Sequence, residues 1–273
     1  MSVSGDRFRL DGQVALVTGS GRGLGRAIAE RLAEQGAHVA IHDIDALAPA
    51  EFGEAANLDE VAEQIAKHGV KTVAVLGDVA DEAAVKAMVE QAQSALGPIS
   101  VLVNCAGGDI AARGGKPNPN DALNIPIEDV RSMIDRNLIG TMLVCRAVCP
   151  GMRERGTGSV VNISSTAGQV GVGNGVIYAV AKAGVAHWSR CLAQELRPYG
   201  VRVNAVSPGP TMTARFLATR QTDPEKRDES VRLDRYGLPI EIADAVAFLC
   251  SEAGRFVSGQ LLRVDGGLQL FAG

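Results

Sequence analysis

Two side chains in the second half of the chain are spaced for proton transfer. Tyr178 and Lys182 stand at i and i+4 in a stretch with helical patterning, Ile177–Leu196, so both project from one face. A phenol titrates near pH 10, too high to accept a proton at neutrality. An ammonium within reach stabilises the phenolate and makes the tyrosine a usable acid/base. Ser165, at the end of an apolar run upstream, offers a hydroxyl to the same substrate oxygen. A second constellation lies near the N-terminus, where Thr18-Gly19-Ser20-Gly21-Arg22-Gly23-Leu24-Gly25 joins an apolar run to a helical pattern. Glycines there permit a tight turn and let a pyrophosphate approach backbone N–H groups at a helix N-terminus. Asp43 closes the next apolar run, where a carboxylate accepts from adenosine ribose hydroxyls. Together these features point to dinucleotide binding.

Positioning those residues requires strands that alternate with helices. Short, β-branched apolar runs predict seven strands: Gln13–Thr18, His38–His42, Thr72–Leu76, Val101–Asn104, Ser159–Ser164, Arg202–Val206 and Leu261–Val264. Helical spacing predicts Gly25–Gln35, Asp59–His68, Asp81–Leu96, one long helix over Ile127–Arg153, then Ile177–Leu196 and Ile240–Ser251. Strand runs that are apolar throughout imply a parallel sheet covered on both faces. No linker or composition break divides the pattern. The expectation is one α/β domain over 1–273, a doubly wound Rossmann fold with irregular loops at 46–57 and 109–124.

Over essentially its whole length the chain resembles the short-chain dehydrogenase/reductase family. TGxxxGxG reads as Thr18–Gly25, followed by Asp78-Val79 on the adenine side. The NNAG motif appears as Asn104-Cys105-Ala106-Gly107, with cysteine in place of the second asparagine. Asn137 in RNLIGT, Ser165, and the YxxxK pair Tyr178 and Lys182 match the catalytic positions; Asn204–Gly209 and Val264–Gly267 also fit. The resemblance implies that Tyr178 exchanges a proton with the alcohol or carbonyl oxygen and that Ser165 holds that oxygen. Lys182 would bridge the nicotinamide ribose and depress the tyrosine pKa, and Asn137 would support a water chain to solvent. The cofactor would touch Gly19, Gly21, Arg22, Gly23, Leu24 and Gly25 in the turn and Asp43, Asp78 and Val79 beside the adenosine. On the nicotinamide side it would touch Asn104, Ala106, Gly107, Tyr178 and Lys182, with Pro208, Gly209, Thr211 and Thr213 near the carboxamide.

Asp43 disfavours a 2′-phosphate and argues for NAD, whereas Arg22 occupies a place that holds that phosphate in many NADP-dependent relatives, so NADP stays possible. The segment 213–238 matches the substrate lid. It carries Phe216, basic residues including Arg215, Arg220 and Arg232, and acids including Asp223 and Glu225, whose charges nearly cancel. Asp109, Ser165 and Phe216 are the candidate substrate contacts. The expected activity is NAD-dependent interconversion of a small polar secondary alcohol and its ketone. An NADPH-dependent 3-oxoacyl-thioester reductase is the alternative, and a non-catalytic dinucleotide-binding regulator a more distant one.

Composition bounds the rest. In 273 residues, 27 Lys and Arg against 31 Asp and Glu give a net charge of −4, the wrong sign for a nucleic-acid surface. No apolar run reaches the length of a membrane span and the N-terminus does not read as a signal. Cys105, Cys145, Cys149, Cys191 and Cys250 form no CxxC pair, and the histidines lack metal-ligand spacing. A reduced, cytoplasmic, metal-free protein is expected. By resemblance it forms a homotetramer through the helices over Val130–Arg153 and Ile177–Leu196. Val185, Ala186 and Trp188 would serve either that contact or the chain's own core.

Overall fold

The computed structural model describes residues 6–229 and 233–270; Arg232 of the expected lid and residues 1–5 of the N-terminal segment lie outside the described residues. The chain runs β1 (Val14–Thr18), α1 (Gly23–Glu34), β2 (His38–Asp43), α2 (Leu58–Ala66), β3 (Thr72–Leu76), α3 (Glu82–Leu96) and β4 (Val101–Asn104). It continues through α4 (Ile127–Ile134), α5 (Gly140–Arg155), β5 (Gly158–Ile163), α6 (Val176–Leu196), β6 (Val201–Pro208), α7 (Ala214–Thr219), α8 (Pro239–Cys250) and β7 (Leu261–Val264). The strands form one seven-stranded sheet in the order β3-β2-β1-β4-β5-β6-β7, and every pairing is parallel.

The apolar character of the strands follows from cover on both faces. On one face Ala15, Val17 and Ile41 pack with Ile28 and Leu32 of α1 and Val246 of α8. On the other, Leu16, Leu102 and Val160 pack with Met88 of α3, Val144 of α5 and Leu192 of α6. Each fully buried Leu, Ile or Val contributes roughly 1.5–3 kcal/mol relative to exposure. After β3 the chain crosses to the far side of β1, which opens a crevice beyond the carboxyl ends of β1 and β4, the place where such sheets bind ligands. There Thr18 Oγ1 accepts from the N–H groups of Cys105 (3.1 Å) and Ala106 (3.2 Å), tying the two turns together.

The expected long helix over Ile127–Arg153 is present, helical without a break to Arg155, but its winding widens into a π turn over Asp135–Ile139 between α4 and α5. The wide turn brings Asn137 fully inside, where its side chain bonds backbone of the loop after β4. Apolar spacing alone does not register that change of winding. The stretch 46–57 is not wholly irregular, because Ala48–Phe52 forms a 3₁₀ turn. The lid contains α7 and a second 3₁₀ turn at Pro224–Arg227. Its two ends meet at a bridge between Thr211 and Gly237, and Arg235 grips Glu241 at the start of α8, with contacts of 2.5 and 3.0 Å.

Candidate active site

The glycine-rich turn is closed to any side chain. A Cβ on Gly25 would stand 2.1 Å from the Gly19 carbonyl oxygen. One on Gly19, whose φ is +65°, would stand 2.7 Å from Ala106 Cα. Such contacts keep the backbone bare at the N-terminus of α1, where N–H groups and the helix dipole favour an anion. The Gly23 N–H already donates to a carboxylate, Glu54 Oε2, at 2.8 Å. Beneath the turn His42 is buried; its Nδ1 accepts from Gly19 N at 3.2 Å and its Nε2–H donates to the Gly77 carbonyl at 2.9 Å. Burial pushes its pKa down to about 4, so it is neutral and braces the turn against the end of β3.

Asp43 lies at the tip of β2, 9% exposed, with Oδ1 accepting from the Ile44 N–H at 2.9 Å. Its Oδ2 stands 2.8 Å from where a Gly21 Cβ would be. Burial raises its pKa, opposed by the N–H groups of Ile44 and Gly21 and by the charge of Arg22. Arg22 is engaged elsewhere: it pairs with Glu51 and lies over the Phe52 ring at 5.0 Å. Bare glycine backbone, a helix N-terminus and a carboxylate at the second strand together suit the diphosphate and adenosine ribose of a nicotinamide dinucleotide.

Tyr178 and Lys182 occupy successive turns of α6, with Lys182 Nζ 5.7 Å from the phenol ring centroid. Lys182 is 4% exposed and donates to the Ile163 carbonyl at 2.8 Å; burial pushes its pKa down to about 8. Ser165 caps the 3₁₀ turn Thr166–Gln169 by accepting from Ala167 N at 3.2 Å, and its hydroxyl lines the cleft beside the Tyr178 phenol. Burial raises the phenol pKa, while the neighbouring Ser165 hydroxyl and then the charge of Arg220 pull it back. Ser164 is structural: its hydroxyl donates to the Lys182 carbonyl at 2.8 Å. Asn137 Oδ1 accepts from Gly108 N at 2.8 Å and its Nδ2 donates to the Gly108 and Met133 carbonyls, both at 3.0 Å. Gly107 passes between them, since a Cβ there would stand 2.4 Å from Asn137 Oδ1 and 3.6 Å from Lys182 Nζ.

Most of the residues singled out in the sequence therefore line one cleft of about 620 Å³, from Gly19 and Asp43 to Ser165, Tyr178 and Phe216. Three do not. Gly21 lies beneath Asp43, Asn137 lies behind Gly108, and Asn104 turns into the sheet, donating to Asn162 Oδ1 at 2.8 Å and Cys145 Sγ at 3.3 Å. Thr213 caps α7 through Phe216 N, and Thr211 donates to the Gly209 carbonyl. Asp109 is at the cleft but already partnered, accepting from Asn120 Nδ2 at 3.1 Å on both oxygens, with Lys116 Nζ at 3.8 Å. Sequence reasoning missed His42 and Glu54; His42 directly precedes Asp43 on its strand, and that adjacency was its only signal. Among the described residues no group of three or more His, Cys, Asp or Glu could hold a metal ion. No helix there is long and apolar enough to cross a membrane.

A family model described as enoyl-(acyl carrier protein) reductase matches residues 19–269. Cyclohexanol dehydrogenase of Rhodococcus sp. (strain TK6) is 37% identical over 270 residues, covering 96% of this chain and 98% of that protein. The chain belongs to the short-chain dehydrogenase/reductase family. The 3-oxoacyl-(acyl-carrier-protein) reductase FabG of Aquifex aeolicus is 36% identical over 262 residues, covering 96% of this chain and 99% of its own. A solved 7α-hydroxysteroid dehydrogenase, complexed with NADH and 7-oxo glycochenodeoxycholic acid, superposes with a TM-score of 0.82 at 32% identity, covering 96% of each chain. The protein is accordingly an NAD(P)-dependent alcohol dehydrogenase/ketoreductase of this family.

Proposed function

We propose that the protein interconverts a small polar secondary alcohol and its ketone with NAD as the preferred dinucleotide. The observation that carries this reading is the grouping of Ser165, Tyr178 and Lys182 in one cleft: a phenol beside a serine hydroxyl, with a buried ammonium one turn away. Bound in the cleft, the nicotinamide would supply the hydride acceptor in oxidation and the hydride donor in reduction. In oxidation the Tyr178 phenolate takes the hydroxyl proton as the carbinol carbon gives up hydride, and the C–O bond becomes a carbonyl. Ser165 donates to that same oxygen and fixes its position. Lys182 keeps positive charge near the phenolate, which burial alone disfavours, and would bind the nicotinamide ribose. Asn137 holds Gly108 and so positions the route by which the Lys182 proton exchanges with solvent.

Asp43 supports NAD, because a carboxylate lining the cleft at the tip of β2 would repel a 2′-phosphate bound beside it, and repulsion at a few ångströms in a partly solvated site costs on the order of kilocalories per mole. Arg22, the residue that favours NADP, is held by Glu51 and Phe52. The cleft volume must accommodate dinucleotide and substrate together, which favours a small substrate. The similarity to FabG and the presence of Arg22 keep an NADPH-dependent 3-oxoacyl-thioester reductase as the second reading. A cytoplasmic homotetramer completes the proposal.

The test is a matched oxidation screen, NAD⁺ beside NADP⁺, over secondary alcohols, polyols, hydroxy acids and amino alcohols, with wild type and Tyr178→Phe. NAD⁺ preference is expected, with turnover reduced about 10²- to 10⁴-fold in the variant. Turnover confined to 3-oxoacyl thioesters with NADPH would establish the second reading, and undiminished activity in Tyr178→Phe would remove its acid/base role.

A further inference from the structure

The lid's charges, nearly balanced along the sequence, are sorted by the fold. Of its basic residues Arg215 and Arg220 line the cleft, whereas no acid among the described lid residues does. Two of those acids have partners of their own. Asp223 caps the 3₁₀ turn, Asp234 pairs with Lys226 at 2.7 Å, and Glu241 just beyond the lid pairs with Arg235. The other charges on the substrate side are also committed: Asp109 to Asn120 and Lys116, and Arg136 to the Ile110 carbonyl at 3.0 Å and Ser132 Oγ at 3.3 Å.

Arg215 and Arg220 remain. Neither guanidinium makes a hydrogen bond or ion pair among the described residues; Arg220 lies over the Phe216 ring at 5.5 Å. Space is made for Arg215 by a glycine, since a Cβ on Gly108 would stand 2.7 Å from its Nη1. That guanidinium is half-buried beside the loop that Asn137 fixes. Both arginines are within electrostatic reach of Tyr178. A half-buried cation that makes no ion pair in a ligand cleft, with the Glu51 and Asp109 carboxylates acting on Arg215 only beyond ion-pair distance, is satisfied by an anionic ligand, and guanidinium matches carboxylate geometry best.

We propose that the substrate is a hydroxy acid, its carboxylate held by Arg220 and Arg215 while its secondary alcohol meets Tyr178 and Ser165. The proposal rests on the alcohol-oxidation reading above and narrows it from polar to anionic. The reaction is the oxidation of a hydroxycarboxylate to a ketocarboxylate, with hydride leaving the carbinol carbon for the bound dinucleotide and the hydroxyl proton leaving through Tyr178. The carboxylate itself is unchanged. Arg215 also faces Arg22 and the phosphate turn, so the cofactor diphosphate is a second source of the same anionic chemistry, and the experiment must separate the two.

The test uses the full chain with NAD⁺ and matched acid–amide pairs, lactate with lactamide and 3-hydroxybutyrate with 3-hydroxybutyramide, in wild type, Arg220→Gln and Arg215→Gln. Expected is a kcat/KM for the acid at least about tenfold above that for its amide. This ratio collapses toward one in Arg220→Gln, mainly through KM, because a charge-assisted hydrogen bond is lost. Equal turnover of acid and amide in wild type, or a ratio unmoved in both variants, overturns the proposal. ADP-ribose titration by calorimetry assigns Arg215. Unchanged affinity in Arg215→Gln supports the substrate role, and weakening with an unmoved acid–amide ratio gives that arginine to the diphosphate. If no alcohol is oxidised, titration of the NADH-loaded protein with pyruvate and acetoacetate decides. Binding that is lost in Arg220→Gln upholds the anion site and places the failure on the alcohol reading; absence of binding overturns the proposal.

Discussion

Buried neutral His42 makes stability depend on pH. Its pKa falls from 6.5 unfolded to about 4 folded, so the unfolded chain binds the extra proton between those values. Its contribution is therefore fully present above about pH 6.5 and lost as pH falls toward 4, at most about 3 kcal/mol. Denaturant unfolding at pH 7 and 4.5 should show a larger loss for wild type than for His42→Gln; equal losses would assign the acid sensitivity to other groups. At the neighbouring position, Asp43→Ser should shift the NADP⁺-to-NAD⁺ ratio of kcat/KM upward by about tenfold or more, since repulsion worth one factor of ten is only about 1.4 kcal/mol. A ratio that does not move would show that another contact sets cofactor choice. Tyr178, Lys182 and Asp43 were legible in the sequence because their roles depend on local spacing or on a strand end. His42, Arg215 as a free cleft cation, and the diversion of Asn104 into the sheet depend on partners distant in the chain, which local patterns do not encode.

Among the elements, the turn between β1 and α1 has the least tolerance. In Gly25→Ala the new methyl meets the Gly19 carbonyl oxygen at 2.1 Å, so strand, turn and helix cannot keep their present separation. Overpacking of this kind typically costs about 1–3 kcal/mol. Weaker ADP-ribose binding and a lower thermal midpoint are expected together, and a variant with wild-type affinity would show that the turn can widen at no cost. Strands and most helices follow from their apolar runs. The π turn does not, because the apolar spacing over Ile127–Arg153 continues through it. It goes with the pairing of Asn137 with Gly108, a contact 29 residues away in the chain.

At the scale of the whole molecule, Val185 and Ala186 are buried in the single chain and Trp188 packs against its core. A contact between copies along α6 would therefore draw on residues other than Val185 and Ala186, and Val180, 54% exposed, is apolar and available. Light scattering is expected to give about four times the 28.4 kDa chain mass, with a monomer mass refuting the assembly. The parallel sheet was readable from strand composition, and its reversal after β3 follows the rule for doubly wound sheets rather than any residue of this chain. That reversal also sets the order in which the protein can become active during its synthesis. The strand that starts the chain waits for a partner whose following turn, at Cys105, is 87 residues downstream, and parallel pairings over such separations form slowly. An emerging N-terminal half would hold the phosphate turn and Asp43 with one edge of β1 bare. A ribosome stalled before residue 101 would thus present an adhesive, chemically inert fragment, and competence for proton transfer would arrive only after α6 had cleared the exit tunnel.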